Sequence, residues 1–304
     1  MKIAVTGATG FLGKYVVDYF CDNLLYKLLV IARPEEYANE VFHRRVNVFE
    51  SDYSEESLKK AFEGIDIILH LAAQTMSRDT DPLKISAFYD VNILLTENVL
   101  LAANYNKVKL VCQMSSNGVY SNFNKLPFTE QDRPQPPTIY GLSKIYSEYL
   151  GEYFSSRTGI KVISLRLARL FGYGERPGVV FMKYINQAIN KCPLEIWGEG
   201  ETCIEYMYVK DALTAIEKVI TQDIPSGMYN VGVNRSYTVK EIAEIINSVC
   251  NNKGNVIFDN TKKEAGYHIL MDSSKFNHIT GWHSEWKMED AIKDILRIQQ
   301  KCII

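Results

Sequence analysis

The chain predicts a doubly wound α/β fold built on a parallel sheet, and three observations carry that expectation. Short apolar runs alternate with amphipathic helical stretches through the first half, the order of a parallel sheet covered by helices on both faces. Gly7, Gly10 and Gly13 follow the first apolar run and open the first helix, the context in which a glycine-rich turn meets a phosphate. Ile65–Leu71 is dense in apolar residues, as a strand buried on both faces requires.

Taken in order, Ile3–Thr6 reads as the first strand and Phe11–Leu24 as the helix leaving the glycines. Lys27–Ala32 is the second strand, ended by Pro34, and Val46–Glu50 the third. A helix follows near Glu55–Glu63, with Ser54 placed to cap it. Then come the strand Ile65–Leu71, a long helix Ser86–Tyr105 and the strand Lys109–Met114. Pro127, Pro134, Pro136 and Pro137 mark a loop before a helix that begins near Tyr140 and runs to Ser156, and Lys161–Leu167 is one more strand. After Phe171 the alternation breaks into short strands (Leu194–Trp197, Met228–Val231, Val256–Phe258) mixed with helices and loops. This divides the chain into a dinucleotide-binding domain, 1–170, and a smaller mixed α/β substrate lobe, 171–304, with some chain crossing between them. Ligands of such sheets sit at the carboxyl ends of the strands.

Bulk properties exclude several classes. The 304 residues carry a net charge of −2 with lysines and arginines scattered, so neither a nucleic-acid nor a membrane surface is expected. No run approaches the ~18 apolar residues of a membrane span. Met1–Val5 reads as a strand rather than a leader. The cysteines (21, 112, 192, 203, 250 and 302) and the five histidines show no metal-ligand spacing. Buried reduced thiols are expected, in a cytoplasmic protein.

Tyr140 and Lys144 suggest the chemistry. Residues four apart share one helix face, roughly 6 Å along the axis. A nearby ammonium favours the tyrosinate and lowers a phenol pKa that is otherwise about 10. Phenol, ammonium and a dinucleotide loop together point to proton transfer coupled to hydride transfer. In the loop, Gly7 allows the turn, Gly10 lets backbone approach a pyrophosphate, and Gly13 lets helix and strand pack. An acidic residue ending the second strand selects NAD(H) through the ribose hydroxyls. Here Ala32 and Arg33 stand instead. Arg33 suits a 2′-phosphate and favours NADP(H), with NAD(H) the alternative.

These residues together resemble the extended short-chain dehydrogenase/reductases, particularly those that act on nucleotide-activated sugars, and the likeness runs nearly the whole chain. Thr6-Gly7-Ala8-Thr9-Gly10-Phe11-Leu12-Gly13 is similar to that family's cofactor loop on a Rossmann-type sheet. Asp52 matches its adenine contact, and His70-Leu71-Ala72-Ala73 its strand end beside the nicotinamide ribose. Asn92 matches an active-site Asn, and Ser115-Ser116-Asn117-Gly118-Val119-Tyr120 the catalytic serine segment, with Ser116 at the catalytic position and Ser115 a rival. Tyr140-Gly141-Leu142-Ser143-Lys144 is the Tyr/Lys pair. Trp197–Gly200, Tyr208–Asp211, Asp272–Lys275 and Gly281-Trp282 resemble motifs of the substrate lobe. The resemblance implies that Ser116 and Tyr140 hydrogen-bond the reacting sugar oxygen and that Lys144 holds the cofactor ribose and depresses the Tyr140 pKa. It also implies a homodimer joined through the helices around 86–105 and 140–156.

The departures narrow the reaction. Family dehydratases place Asp-Glu after the catalytic hydroxyl and decarboxylases a Glu, where this chain has Asn117-Gly118. Epimerase-reductases of the GDP-fucose synthase type place a Cys where Gly118 stands. A 4-keto reduction is the expected reaction, with a 4-epimerase that retains its dinucleotide as the alternative and a non-catalytic nucleotide-binding protein as a third. Ile204 stands where the family often has a phosphate-gripping Arg, and Arg169 where it often has an Asn. Arg169, with Lys262 or Lys263, is expected to supply the missing phosphate contact.

Overall fold

The computed structural model describes residues 1–37, 45–76, 80–176 and 179–301; Cys302 and His43 lie outside them. Seven parallel strands form the central sheet. They are β1 (Lys2–Thr6), β2 (Lys27–Ala32), β3 (Asn47–Glu50), β4 (Ile67–His70), β5 (Leu110–Ser116), β6 (Lys161–Leu167) and the strand Gly227–Val231. In space the order is β3-β2-β1-β4-β5-β6 and then Gly227–Val231, so the sheet reverses direction of growth between β1 and β4, where such sheets bind their ligands. β4 is buried at every position, and both faces of the sheet carry apolar clusters.

The strand Gly227–Val231 corrects an expectation. Its sequence neighbours place it in the C-terminal lobe, yet it pairs with β6, Tyr229 opposite Leu165. Tyr229 and Val231 are buried in the main core, and a short apolar run does not reveal which sheet it joins. The rest of the second half builds three two-stranded sheets: Arg169–Phe171 with Tyr206–Tyr208, Cys203–Ile204 with Tyr237–Thr238, and Leu194–Trp197 with Val256–Asp259. They pack with helices Val180–Ile189, Val239–Val249 and Met288–Lys301 around a separate core.

Local chemistry sets the helix ends. Ser54 accepts from Ser57 N–H and caps Glu55–Ala61. Thr138 accepts from Gly141 N–H at 3.1 Å and starts the helix Ile139–Thr158, which Gly159 ends at φ +75°. The long helix expected over 86–105 forms, but Tyr89–Leu94 within it is π-helical, a form that concentrates at functional sites. Cys21 and Cys112 are buried, whereas Cys192 is exposed, against the expectation of buried thiols.

Candidate active site

The glycine loop is shaped by what it touches. A Cβ on Gly7, which stands at φ +72°, would lie 2.5 Å from Ala72 N, and one on Gly13 would lie 2.1 Å from Gly7 O. Real side chains cannot occupy either place, so the loop packs directly on Leu71-Ala72 and the helix Phe11–Cys21 packs directly on the loop. Gly10 differs: only Gly7 O, at 3.2 Å, is near its missing Cβ, which leaves its outer side clear. Gly10 caps the helix without a side chain, and the first intrahelical bond is Lys14 N–H to Gly10 O. The N–H groups of Phe11, Leu12 and Gly13 therefore have no acceptor within the helix and, with Thr9 in the turn, form an anion cradle. The side chains of Phe11 and Leu12 pack into the C-terminal core, so their contribution to a phosphate is backbone alone.

At the carboxyl ends of β2 and β3 lies a cleft of about 480 Å3 lined by Arg33, Pro34, Glu35, Glu50, Ser51 and Asp52. Arg33 lies 5.1 Å over the Tyr53 ring. Asp52 accepts from Ser54 N–H at 2.9 Å, and its contacts with Ser54, aided by the Arg33 charge, hold its carboxyl below the usual range. Phosphate cradle and adenosine-sized cleft lie on one edge of the sheet, so the residues fit a dinucleotide. The charge of the cleft runs against the 2′-phosphate expected from Arg33, because among the described residues its lining holds three carboxylates and one guanidinium.

The groups expected to react come together at the carboxyl ends of β4 and β5. Ser116, the last residue of β5, accepts from Gly118 N–H at 3.0 Å. Tyr140 comes to it because Gly141 has no side chain: a Cβ there would lie 2.1 Å from Gly118 O and 2.8 Å from Pro136 Cβ. Position 118 itself faces the site, with its missing Cβ 3.3 Å from Ser116 Oγ and 3.8 Å from the Tyr140 ring. Ser115 is no rival, since its hydroxyl donates to Glu148 Oε1 at 2.5 Å on the buried side of the strand. Lys144 is 5% exposed and donates to Met114 O at 2.9 Å, with Nζ 5.8 Å from the Tyr140 ring centre.

The electrostatics depart from the simple Tyr/Lys picture. Burial raises the Tyr140 phenol above its usual value, and the groups that pull it back are Ser116, Arg169 and Arg176 rather than Lys144. Burial also brings Lys144 down to about 8, opposed by Glu148. Behind this pair, Arg166 on β6 grips Glu148 through Nε at 2.8 Å and Nη2 at 2.7 Å and meets Tyr120 Oη at 2.6 Å. Arg166 and Glu148 are 1% exposed, so the helix Ile139–Thr158 is fastened to the sheet by a two-point charge-assisted bond. His70 bridges Thr6 Oγ1 at 2.8 Å and Thr96 Oγ1 at 3.1 Å. Because Thr96 gives its own proton to Asn92 O, the network assigns the imidazole proton to Nε2, and burial brings its pKa down to about 3.

Two expected substrate contacts do not fit. Asn92 is 1% exposed, and its amide is spent on Gln74 N–H and Gln74 O and on Ser143 Oγ; it joins the 74 loop to the catalytic helix and cannot reach a ligand. Lys262 is held by Glu195 and Asp259 and lies over Trp197, its charge already neutralised. Arg169, by contrast, is beside the site, paired with Glu175 at 3.2 Å. Sequence reasoning missed Glu175 and Arg176. Arg176 donates to Thr75 Oγ1 at 2.8 Å and Met76 O at 2.5 Å, crossing from the second half to the loop that follows β4. Their only signal was a charged pair in the glycine-rich turn after Arg169.

Comparison with known proteins agrees with this geometry. UDP-N-acetylglucosamine 4-epimerase from Bacillus cereus superposes with a TM-score of 0.87 at 30% identity, over 99% of this chain and 96% of that one. UDP-glucuronic acid 4-epimerase from the same organism, solved with UDP-glucuronic acid and NAD, shares the fold with a TM-score of 0.86 at 21% identity, over 99% and 100%. The dTDP-4-dehydro-6-deoxyglucose reductase of Escherichia coli is 24% identical over 312 residues, 97% of this chain and 96% of that one. Among the described residues no helix is long and apolar enough to cross a membrane. The model of the NAD dependent epimerase/dehydratase family matches residues 3–232, and with its glycine loop, Ser116, Tyr140 and Lys144 the chain belongs to that family, an enzyme of the extended short-chain dehydrogenase/reductase type.

Proposed function

We propose that this enzyme interconverts alcohol and ketone at C4 of a nucleotide-activated sugar and acts as a 4-epimerase that retains NAD. The observation that carries the reading is the meeting of Ser116 and Tyr140 over Gly118. A carboxylate at 118 would lie in reach of the reacting carbon's neighbours and drive elimination; glycine leaves only hydroxyl-to-ketone chemistry. The two carbonyl-handling groups are Ser116, which holds the sugar oxygen, and Tyr140, which takes its proton and returns it. Lys144, anchored on Met114 O beside the Tyr140 ring, would hold the cofactor ribose. NAD, when bound, would supply hydride-transfer chemistry at C4 of the sugar. Gly7–Gly13 would hold its pyrophosphate and Asp52 its adenosine. Arg169 would meet the substrate diphosphate. In this reading the dinucleotide domain, about residues 1–170, works against a substrate lobe from 171 on, in the cytoplasm.

Retained NAD replaces the NADP(H) expected from Arg33, since Glu35, Glu50 and Asp52 oppose a 2′-phosphate in the same cleft. Arg33 remains the observation favouring the second reading, a 4-keto reductase using NADPH. Stoichiometry separates them: an epimerase converts sugar with no net change in reduced dinucleotide absorbance, and a reductase consumes one dinucleotide per turnover. Tyr140→Phe should lower kcat by ~10²–10⁴-fold with dinucleotide affinity intact; wild-type turnover in that variant would remove Tyr140 from the mechanism.

A homodimer completes the reading. Leu142, Tyr146, Tyr149 and Tyr153 are each 50% or more exposed along one face of the helix Ile139–Thr158, an apolar stripe of the kind that pairs. Sedimentation should give a dimer; a monomer at micromolar concentration would overturn this part.

A further inference from the structure

His70 stands between the glycine loop and the helix of Tyr140, and hydrogen bonds join the two through it. It closes β4 opposite Thr6, the last residue of β1 and the one before Gly7. Thr6 Oγ1 donates to His70 Nδ1 at 2.8 Å and accepts from Ala72 N–H at 3.4 Å. On its other side the ring donates from Nε2 to Thr96 Oγ1 at 3.1 Å. Thr96 Oγ1 donates at 2.9 Å to Asn92 O, which lies in the π-helical turn and also accepts from Ser147 Oγ at 2.7 Å. The Asn92 side chain donates to Ser143 Oγ at 2.9 Å, and Ser143 Oγ donates to Tyr140 O at 2.7 Å. A continuous series of bonds therefore runs from the start of the glycine loop to the helical turn that carries Tyr140 and Lys144. Thr6, His70, Asn92, Thr96, Ser143 and Ser147 are all buried.

A neutral imidazole suits this place, because it accepts at one nitrogen and donates at the other across a rigid ring. Buried polar groups in one network depend on each other's bonds, since an unpaired member is costly. Hydride transfer needs the dinucleotide and the phenol in one fixed geometry, and a displacement of about 1 Å costs ~10²-fold in rate. Resting on the reading of this site as one that transfers hydride through a dinucleotide, we propose that His70 is a positioning residue: it holds the glycine loop in register with the helix of Tyr140 and Lys144, so that pyrophosphate at the loop and ribose at Lys144 are gripped together. With both nitrogens engaged and 5% of its surface exposed, His70 acts through Thr6 and Thr96 rather than on a ligand.

NADH and ADP separate the two grips, because ADP lacks the nicotinamide ribose and can use the loop alone. Both are titrated by calorimetry into protein freed of nucleotide. His70→Leu removes both ring bonds and should lower NADH affinity relative to ADP by about 5- to 20-fold, within the coupling range of groups in one network. His70→Asn keeps an acceptor near the place of Nδ1, and His70→Gln a donor near that of Nε2. Each cuts one half of the series, so each should lower the ratio in the same direction, and they carry the test if circular dichroism shows the Leu variant misfolded. In Lys144→Ala protein the ribose grip is already gone, and adding His70→Leu should leave the ratio as it is. An equal fall in NADH and ADP affinity would make His70 a plain support of the loop and overturn the proposal. An unchanged ratio in the folded variants overturns it too, as does an equal fall in the ratio with and without Lys144. Wild-type protein that binds neither nucleotide overturns the dinucleotide reading itself, a failure distinct from any loss confined to the variants. No sugar enters these titrations, so the choice between epimerase and reductase is decided separately by turnover.

Discussion

The dinucleotide end and the sugar end of this cleft are built from different materials. At the dinucleotide end the shape is backbone: a Cβ on Gly7 or Gly13 would lie 2.5 or 2.1 Å from neighbouring backbone atoms, and the donors are N–H groups at a helix start. At the sugar end the shape is side chain: Arg166 on Glu148, Arg169 on Glu175, Arg176 on Thr75, and Asn92 on Gln74 and Ser143. Backbone sites depend on which residues lack atoms, whereas side-chain sites depend on which partners distant segments supply.

The largest expected effect tests the first half of that contrast. Gly13→Val places atoms inside the glycine turn, where neither Gly7 O nor Ala8 Cα can retreat without moving β1. The variant should lose dinucleotide binding and fold poorly, read by circular dichroism and by fluorescence titration with NADH. Gly10→Ala is the control. Its Cβ meets only one oxygen at 3.2 Å, so the variant should fold and lose affinity alone. If both variants unfold, the clear outer side assigned to Gly10 is wrong.

The same contrast explains what the sequence made legible. A glycine motif after a strand encodes its own geometry, and Tyr140 and Lys144 share a helix whose period fixes their spacing, so loop and pair were readable. Gly141 was also on the page as a letter, but its reason, the approach of Gly118 O, is a contact between segments. The neutralisation of Lys262 by Glu195, the enclosure of Asn92, and the pairing of Gly227–Val231 with β6 are likewise products of tertiary contact. The expectation that Lys144 depresses the Tyr140 pKa failed for a related reason. Helical spacing gives proximity, but burial of the phenol decides the sign, opposed by Ser116 and by two arginines on another segment.

Next in size is the buried ion pair. Arg166→Met leaves Glu148, with Ser115 as its remaining donor, inside the core, and should destabilise the protein by about 3–5 kcal/mol in urea unfolding. Replacing both residues, Arg166→Met with Glu148→Leu, should recover much of that loss, because neither charge is then buried alone. A double variant less stable than the single one would show that the pair itself, and not the isolated charge, holds the catalytic helix to β6.

The smallest effect lies where the two kinds of construction meet, in the cleft at Arg33. Its guanidinium, half-buried, lies 5.1 Å over the buried Tyr53 ring. Because that contact is with the protein and not with the dinucleotide, Arg33→Ala should change NAD affinity by no more than about fivefold. Wild-type protein should bind NAD more tightly than NADP, since a 2′-phosphate would bring further negative charge to a wall that already carries Glu35, Glu50 and Asp52. Tighter NADP binding, lost in Arg33→Ala, would mean that one well-placed fork outweighs three nearby carboxylates. The cleft would then favour an exchangeable reductant, and the reductase reading would replace the epimerase.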